Sequence, residues 1–589
     1  SATTQGRNPT PRIVEAPKRV DEICKLVLSL EPQLVVCSLQ DFEVRTSDAF
    51  ARLVEVCTRV NAQLIVDLSE HFELSSQPAP HGVLSYLSEH PLPDHVTLLF
   101  GLVHNRVYGD LELSFIVTEN LDLLEKMSAA AELTYSRTPL LTQRYFGKIF
   151  ADLLNFQLTA LRRSKSEHLR LPRKASGPAL LPLPQNILTA FSHPAIEVHS
   201  LELTSQHVRL DYGENCLASP LQLDSAIMES YLRQNISAHE LNCERPIIEL
   251  VEKRFGLNHF MERNVILGLG VAPLFCAALE LVAARGETVA LPTGAYGYFK
   301  AACDYVNVPC ALVETSEKNR FKITAADLDK FLTQNRCHWL YLNGPIVNPT
   351  GAIYSNGEIL DLLDVLEQHR CGLIFDTIFS GLEFSQKQMH MSLNRFRQSR
   401  QEQQTASKML VLGGLSKELA AGGLRFGWAV SDDEDFAQAL RARITGSPHT
   451  TVRYAARKIY LALNDPSHPI QKELEQQRKT LRNRAEKLTS VLNELGWEVL
   501  DAEGGLFVCA SPRKYLELLG RDVSEAKIRQ ASDDIAIQLR IQTGLLVNSA
   551  TWTGLPQQLR FVISVEEETL EAGIERLRQF DSNWQNQRR

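Results

Sequence analysis

The sequence lacks the features that mark several large classes of protein. It has no run of roughly 18 apolar residues, the length that a membrane-spanning helix needs, so we expect no membrane segment. Its eleven cysteines include no CxxC pair, which argues against a metal site or a disulfide framework and for reduced thiols in a cytoplasmic protein. Acidic residues outnumber basic ones, and the net charge of -8 argues against a nucleic-acid partner.

The chain also lacks an initiator methionine and a secretory signal. It begins at Ser1, and no charged segment followed by an apolar one comes after it. We therefore expect a chain that is either processed or cut from a longer one. Its 589 residues are too many for a single hydrophobic core, so about two to four domains are expected.

From about residue 197, short apolar runs alternate with longer stretches of helical periodicity. The strand-like runs are Val265 to Leu267, Thr288 to Leu291, Trp339 to Leu342, Gly372 to Phe375 and Met409 to Leu412. The helical stretches include Leu274 to Ala284, Ala325 to Asn335 and Ile359 to His369. This alternation predicts βαβ units and a mainly parallel sheet, so we assign residues 197–468 to an α/β large domain.

The pattern changes near residue 470. A long charged helix is predicted over Lys472 to Leu495, with Gly496 as its stop signal. Shorter strand-like runs follow, the last of them over Leu559 to Val565. We expect a small α+β domain over residues 469–589. On the other side of the large domain, residues 161–196 are rich in basic residues and proline, and we expect a solvated linker there.

An internal repeat is the main feature of residues 1–160. Leu98 to Val117 aligns without gaps on Val411 to Val430, with six of twenty positions identical. Upstream, a matching segment puts Asp67 on Asp376. Chance similarity between two αβ units is the alternative. The repeat predicts that residues 1–160 are a degenerate, truncated copy of the large domain, and that a missing upstream part would complete it.

The early copy has lost residues that could carry chemistry. His104, Glu112 and Val103 stand where the later copy has Lys417, Arg425 and Ser416. We therefore expect the early copy to keep the fold pattern without a working site.

The segment after Met409 to Leu412 carries a lysine in an unusual setting. Ser416 and Lys417 stand between glycines, and Arg425 follows eight residues after the lysine. A solvated surface lysine is the ordinary interpretation, but a glycine-loosened turn after an apolar strand is a poor place for one. Lys417 could instead hold pyridoxal 5'-phosphate (PLP) as a Schiff base, with Ser416 and Arg425 at the phosphate.

Two polar residues follow neighbouring strand-like runs. Asp376 comes directly after Phe375, and a carboxylate at the carboxyl end of a buried parallel strand lies where α/β sheets bind ligands. It could keep the ring nitrogen of PLP protonated, although a helix N-cap is the alternative. Asn348 opens an NPTG segment. It could contact the phenolic oxygen of the cofactor and the substrate, or it could belong to a simple turn.

Further candidates complete the expected site. Gly270, Val271 and Ala272 open a predicted helix, so their backbone N–H groups could bind phosphate. Tyr296 could stack on the cofactor ring, with core packing as the alternative. Arg560, in the last strand-like run, could bind a substrate carboxylate through its planar guanidinium, with a surface arginine as the alternative.

This ordered set resembles the aminotransferase class I/II family of fold-type-I PLP enzymes over roughly residues 200–585. The resemblance implies the PLP-dependent transferase fold, with Lys417 and Asp376 as catalytic residues. Two positions depart from the family pattern. Phe379 stands where many relatives have a tyrosine that bonds the cofactor, and Gly414 stands where many have a phosphate-binding serine.

Several longer segments together resemble the methionine S-methyltransferase family. They read LLFGLVHNRVYGDLELSF, GPIVNPTGAIYSNGEI, FDTIFSGLEFS and LGGLSKELAAGGLRFG. The resemblance implies that the chain is the C-terminal, aminotransferase-like part of such an enzyme, with methionine or S-methylmethionine as its amino-acid ligand. It also implies an upstream S-adenosylmethionine-dependent methyltransferase domain, whose glycine-rich loop is not found in this sequence.

The function expected from these resemblances is that of a PLP-dependent aminotransferase-type unit. Arg560 would bind the α-carboxylate of the substrate, and Lys417 would move the α-proton. The alternative is a catalytically idle module that binds PLP or an amino acid and regulates the methyltransferase. Because fold-type-I sites are usually completed by a second large domain, we expect a homodimer with residues of the second chain near Lys417.

Overall fold

The structure is a computed structural model. It describes residues 19–38, 47–67, 83, 86–87, 90–103, 112–134, 207–233, 236–258, 260–295, 297–385, 409–444, 446–517 and 525–586. The chain divides into two compact units, one of Ser1–Ser128 with Thr142–Leu181 and one of Ala129–Leu141 with Pro182–Arg589. The expected linker lies outside the described residues. Within those residues, no helix is both long and apolar enough to cross a bilayer.

The first unit contains a four-stranded sheet in the order β1-β2-β3-β4. Its strands are β1 (Leu34–Ser38), β2 (Gln63–Asp67), β3 (Val96–Val103) and β4 (Glu112–Thr118). The helices in this part of the chain are α1 (Val20–Leu30), α2 (Ser47–Arg59) and α3 (Leu121–Thr134). Helix α1 buries Val20, Ile23 and Val27, because residues three and four apart share one face of a helix.

The second unit is built on a seven-stranded sheet in the order β6-β12-β11-β10-β9-β7-β8. Its strands are β6 (Val265–Gly268), β7 (Val289–Pro292), β8 (Cys310–Val313), β9 (Trp339–Asn343), β10 (Gly372–Asp376), β11 (Met409–Gly414) and β12 (Gly427–Ser431). Strand β12 runs opposite to the other six strands. The sheet is therefore mainly parallel, which confirms the predicted fold class.

The two sheets share strand order, direction and register. Strands β1, β2 and β3 are parallel and β4 is antiparallel, as are β9, β10, β11 and β12. Asp67 pairs with Leu99, and Asp376 pairs with Leu412 in the corresponding position. This arrangement is the one that the internal repeat predicts for residues 20–117. His104 lies outside the described residues.

Helices cover both faces of the larger sheet. They are α4 (Leu221–Leu232), α5 (Ala238–Leu241), α6 (Glu244–Phe255), α7 (Val271–Ala284), α8 (Gly297–Tyr305), α9 (Ala325–Gln334), α10 (Asn356–Gln368), α11 (Glu434–Arg443) and α12 (Thr450–Asn464). Side chains of α7, α8 and α11 form one hydrophobic core with the sheet, and those of α6, α9, α10 and α12 form another on the opposite face. A sheet buried on both faces needs strands that are apolar throughout, and β9, β10 and β12 are buried along their whole length.

The C-terminal part of the chain forms a smaller α+β assembly. Its strands are β13 (Glu498–Leu500), β14 (Phe507–Ser511), β15 (Leu545–Leu546) and β16 (Leu559–Val562), and its helices are α13 (Ile470–Glu494), α14 (Arg513–Glu517), α15 (Glu525–Thr543), α16 (Ala550–Thr553) and α17 (Glu567–Asn586). An early strand, β5 (Val208–Arg209), pairs with β15. Leu210 shares the hydrophobic core of this assembly, so the segment around residue 210 joins elements that are more than 300 residues away in sequence.

The structure differs from the sequence-based expectations at several element ends. Strand β16 ends at Val562 rather than Val565, whereas helix α7 begins at Val271, within the segment predicted to open it. Strands β8 and β12 were not predicted. Helix α13 ends as expected, since Gly496 follows it with φ +78°, a conformation that favours glycine.

Candidate active site

Lys417 lies in the turn after β11, at the carboxyl end of the parallel strands. Its Nζ donates hydrogen bonds to the carbonyl oxygen of Gly213 at 2.9 Å and to Oε2 of Glu214 at 3.1 Å. The lysine side chain is 16% exposed. It is thus turned away from bulk solvent, toward a segment about 200 residues earlier in the chain.

Two amide side chains hold the backbone of the lysine turn. Nδ2 of Asn215 donates to the carbonyl oxygen of Lys417 at 2.7 Å and to Oε1 of Gln477 at 2.9 Å. Nε2 of Gln477 donates to the carbonyl oxygen of Glu418 at 2.6 Å. The backbone carbonyl groups of Lys417 and Glu418 therefore both accept side-chain hydrogen bonds. These bonds hold the turn against helix α13, which carries Gln477.

Asp376 ends β10 and is 1% exposed. Its Oδ2 accepts a hydrogen bond from the Tyr341 hydroxyl at 2.8 Å, and its Oδ1 accepts one from the Ile378 backbone N–H at 3.0 Å. Burial raises the pKa of the Asp376 carboxyl to about 6, although these two hydrogen bonds and the positive charge of Lys417 favour ionisation. A cation beside the buried carboxyl group would therefore stabilise its charged form.

The start of helix α7 lies beside the guanidinium of Arg425. Gly270 precedes the helix with φ +121°, and a Cβ atom at this position would lie 2.8 Å from Nη2 of Arg425. Arg425 itself adopts φ +53°, and its Nη1 donates to the carbonyl oxygen of Gly422 at 3.1 Å. The first backbone N–H groups of the helix, at Val271 and Ala272, and the guanidinium thus form a cradle for an anion.

Arg560 lies in β16 and is 2% exposed. Its Nη1 donates to Oδ1 of Asn348 at 2.8 Å, and its Nε donates to Oδ1 of Asn548 at 2.9 Å. The guanidinium carbon lies 4.0 Å from the ring centroid of Trp552 and 4.9 Å from that of Phe507. A surface arginine, which was the alternative interpretation, does not fit this burial.

Gly213 links the arginine to the lysine. Its carbonyl oxygen accepts the hydrogen bond from Lys417, and a Cβ atom at this position would lie 2.9 Å from Nη2 of Arg560. Glycine therefore allows the chain to pass between the two cations. The predicted residues Lys417, Asn348 and Arg560 thus come together around one short segment.

Four further positions singled out in the sequence are Tyr296, Phe379, Gly414 and Ser416. Tyr296 lies outside the described residues, so its stacking role stays a prediction. Phe379 is buried, with its ring 5.2 Å from that of Phe507. A Cβ atom at Gly414 would lie 2.7 Å from the carbonyl oxygen of Phe426, so the close approach of strand β12 accounts for glycine where many relatives have serine. Ser416 is partly exposed.

Sequence reasoning missed several residues of the site, and Tyr341 and Glu214 are two of them. Tyr341 donates to Asp376, and a polar residue inside the otherwise apolar run Trp339 to Leu342 was the available signal. Glu214 carries a carboxylate that contacts Lys417, and nothing local distinguishes it from a solvated acidic residue.

The residues present fit a PLP group. A buried carboxylate that would be stabilised by a cation suits a protonated ring nitrogen, and the anion cradle at the start of α7 suits a phosphate. A lysine and a buried arginine lie on either side of Gly213.

The comparison with known proteins agrees with this geometry. The chain matches the family model for aminotransferase class I and II over residues 230–577, more than half of its length. The chain belongs to this family. Among solved structures, N-succinyldiaminopimelate aminotransferase from Mycobacterium tuberculosis superposes with a TM-score of 0.55 at 20% identity, covering 68% of this chain and 100% of that one.

Two further relatives carry more specific names. Methionine S-methyltransferase from Arabidopsis thaliana is 31% identical over 574 residues, which are 97% of this chain and 53% of that protein. The chain spans about half the length of the methionine S-methyltransferases it matches. A PLP-bound C-S lyase from Staphylococcus hominis has the same fold, with a TM-score of 0.54 at 17% identity over 64% of this chain and 94% of that one. The predicted resemblances to the aminotransferase class I/II family and to the methionine S-methyltransferases are confirmed.

Proposed function

We propose that this chain is the PLP-dependent, aminotransferase-type unit of a methionine S-methyltransferase, and that it binds methionine or S-methylmethionine. One observation carries the proposal. Lys417, Asn348 and Arg560 come together around Gly213, and the buried Asp376 lies close enough for the lysine charge to lower its pKa.

In this proposal Lys417 would hold the cofactor through Nζ and, when Nζ is free of the cofactor, would move the α-proton of the substrate. Asp376 would hold a proton at the ring nitrogen, and the N-terminus of α7 would bind the phosphate together with Arg425 and Ser416. When bound, PLP supplies the electron-accepting ring that such chemistry needs.

Arg560 recognises the substrate. Its guanidinium is held in one orientation by Asn348 and Asn548, and it lies against the ring of Trp552. A planar guanidinium with a fixed orientation suits the bidentate binding of an α-carboxylate. Asn348 would contact both the cofactor and the substrate.

The alternative is a regulatory module that binds PLP or an amino acid without turnover. Phe379 and Gly414 favour it, because each removes a polar contact that many relatives make to the cofactor. Phe379 packs against Phe507, with 5.2 Å between the ring centroids. Phenylalanine has no hydroxyl group with which to bond a cofactor.

A spectroscopic experiment tests the proposal. Purified protein supplied with PLP should absorb in the visible region, and borohydride followed by peptide mapping should place the label on Lys417. The Lys417→Ala variant is the control, and borohydride should fix no PLP at position 417 in it. Label on another lysine, or no label in excess PLP, would contradict the proposal.

Addition of methionine then separates the two candidate functions. An aminotransferase-type unit should lose the visible absorbance and release a 2-oxo acid that mass spectrometry detects. A regulatory module should show a spectral shift on binding and no product.

We also propose that the chain forms a homodimer, with residues of the second chain near Lys417. A C2 interface uses the same surface on both chains. Light scattering at micromolar concentration should give twice the mass of the chain. A monomer with PLP fully bound would contradict this part of the proposal.

A further inference from the structure

One face of the first sheet carries exposed apolar residues. Leu34 and Val36 of β1 lie on this face and are 50% and 58% exposed. The hydrophobic core of the first unit lies on the other face, where Cys37 of β1 and Leu64 and Val66 of β2 are buried together with side chains of α1 and α2. Successive residues of a strand point to opposite faces, so β1 presents apolar side chains on both sides of the sheet.

The second sheet shows the same strand with both faces covered. Strand β1 pairs with β2 as β9 pairs with β10, and this shared register places Leu34 on Trp339 and Val36 on Tyr341. Trp339 and Tyr341 are each 1% exposed. The exposure of β1 is therefore not a property of the strand itself but of what lies against it.

A helix–strand–helix segment covers this face of the second sheet. The ring centroid of Tyr341 lies 5.3 Å from that of Phe275 in α7 and 4.3 Å from that of Phe299 in α8. Strand β7, which lies between these two helices in the chain, pairs in parallel with β9. Residues 271–305 thus cover both the face and one edge of β9. In the first sheet β1 is the outermost strand, and no strand of the described residues pairs with its outer edge.

Helix α3 shows the same difference between the two units. It follows β4 as α11 follows β12, and the gap-free alignment of the repeat, when continued, places Leu124 on Ala437 and Met127 on Leu440. Leu124 and Met127 are 40% and 39% exposed, whereas Ala437 and Leu440 are fully buried in the core that α7 and α8 share. A contiguous group of exposed apolar residues marks a surface that another element covers.

We propose that this face of the first sheet and the outer edge of β1 bind a helix–strand–helix segment from the rest of a longer polypeptide. The exposed apolar residues of this surface are Leu34, Val36, Leu124 and Met127. The second sheet specifies the chemistry of the segment: an apolar strand that pairs in parallel with β1, between two helices whose large apolar side chains face the sheet. Because the repeat is collinear, the segment would precede α1 in the chain.

The length of the relatives supports this source. The chain spans about half the length of the methionine S-methyltransferases it matches, so these relatives have ample further chain for such a segment. The inference is independent of PLP binding at Lys417.

Thiol labelling compares the 589-residue chain with the full-length polypeptide that its gene encodes. In the 589-residue chain, the Val36→Cys thiol should react with a maleimide at least about tenfold faster than the native Cys37, which lies on the buried face of the same strand. In the full-length polypeptide, it should react about as slowly as Cys37. Val117→Cys is the matched control, because Val117 is 43% exposed and pairs with Leu98 of the buried face. It should react equally fast in both polypeptides.

Hydrogen exchange of residues 34–38 gives the same comparison without a substitution, and exchange should be slower in the full-length polypeptide. Equal labelling of Val36→Cys and equal exchange in both polypeptides would overturn the proposal, as would a gene that encodes nothing before Ser1. Protection that appears in the 589-residue chain alone as its concentration rises would show that a second copy covers the surface. That result would also overturn the proposal.

Discussion

The Tyr341 hydroxyl donates a 2.8 Å hydrogen bond to the Asp376 carboxylate, and both residues are almost fully buried. The two residues lie on adjacent parallel strands, 35 positions apart in sequence. Burial raises the pKa of Asp376 to about 6, and the hydrogen bond opposes this effect because it favours the charged carboxylate. Burial, the charge of Asp376 and the same hydrogen bond all raise the pKa of Tyr341 well above its ordinary value. Tyr341 is therefore a positioning residue for the proposed ring-nitrogen contact.

Tyr341→Phe should destabilise the cofactor-free protein more at pH 8 than at pH 5. At pH 8 the Asp376 carboxylate is charged, and a hydrogen bond to a charged group contributes roughly 1.5–3 kcal/mol, against about 1 kcal/mol for a neutral pair. Denaturant unfolding at both pH values measures the difference. Tyr354→Phe is the control, because the Tyr354 hydroxyl bonds the Ile323 backbone. Equal losses at both pH values for Tyr341→Phe would contradict the prediction.

Asp376 should also make stability depend on pH. Its pKa in the folded, cofactor-free protein is about 6, above its ordinary value of 3.8. The folded state therefore holds the proton more tightly than the unfolded state, and stability falls as pH rises from about 4 to 6, by up to about 3 kcal/mol. Asp376→Asn lacks this dependence, so the stability difference between wild type and variant should change over that range. A constant difference from pH 4 to 7 would show that burial does not raise this pKa.

Gly270→Ala should lower both stability and PLP affinity. The position has φ +121°, and the new Cβ atom would lie 2.8 Å from Nη2 of Arg425. We expect a loss of about 1–3 kcal/mol in the free energy of unfolding, together with weaker PLP binding in a spectroscopic titration. Gly357→Ala is the matched control, since its Cβ atom would meet nothing within 4 Å, and it should change stability by less than about 1 kcal/mol.

The buried ion pair beside the lysine turn should be sensitive to the loss of one partner. Nη1 and Nη2 of Arg254 bond the two carboxylate oxygens of Glu418 at 2.9 and 2.7 Å, and both side chains are largely buried. Arg254→Met leaves a buried charge unpaired, which should cost about 3–5 kcal/mol in denaturant unfolding.

Two comparisons check the origin of that loss. The double variant with Glu418→Gln should recover part of the stability, because the unpaired charge is gone. At the exposed pair Arg482–Glu486, the Arg482→Met variant should cost less than about 1 kcal/mol. A similar cost at both pairs would mean that burial of the charges is not the cause.

The order of the elements and several residues of the candidate site could be predicted from the sequence. Strands β6, β7, β9, β10 and β11 follow from short apolar runs, since a strand buried on both faces is apolar at every position. Asp376 and Lys417 follow from their places after two of these runs, because the carboxyl ends of parallel strands lie at one edge of a sheet. The register shared by the two sheets was also visible as the internal repeat.

The contacts that these side chains make across the fold could not be predicted from the sequence. Glu214 contacts Lys417 from 203 positions away, and Asn348 contacts Arg560 across 212 positions. No local periodicity records such contacts, because they depend on how the parallel strands and the C-terminal assembly pack. Strand β12 was missed for the same reason, because it lies between β11 and β6 and runs antiparallel to both. Its pairing with β11 also explains why Gly414 has no room for a side chain.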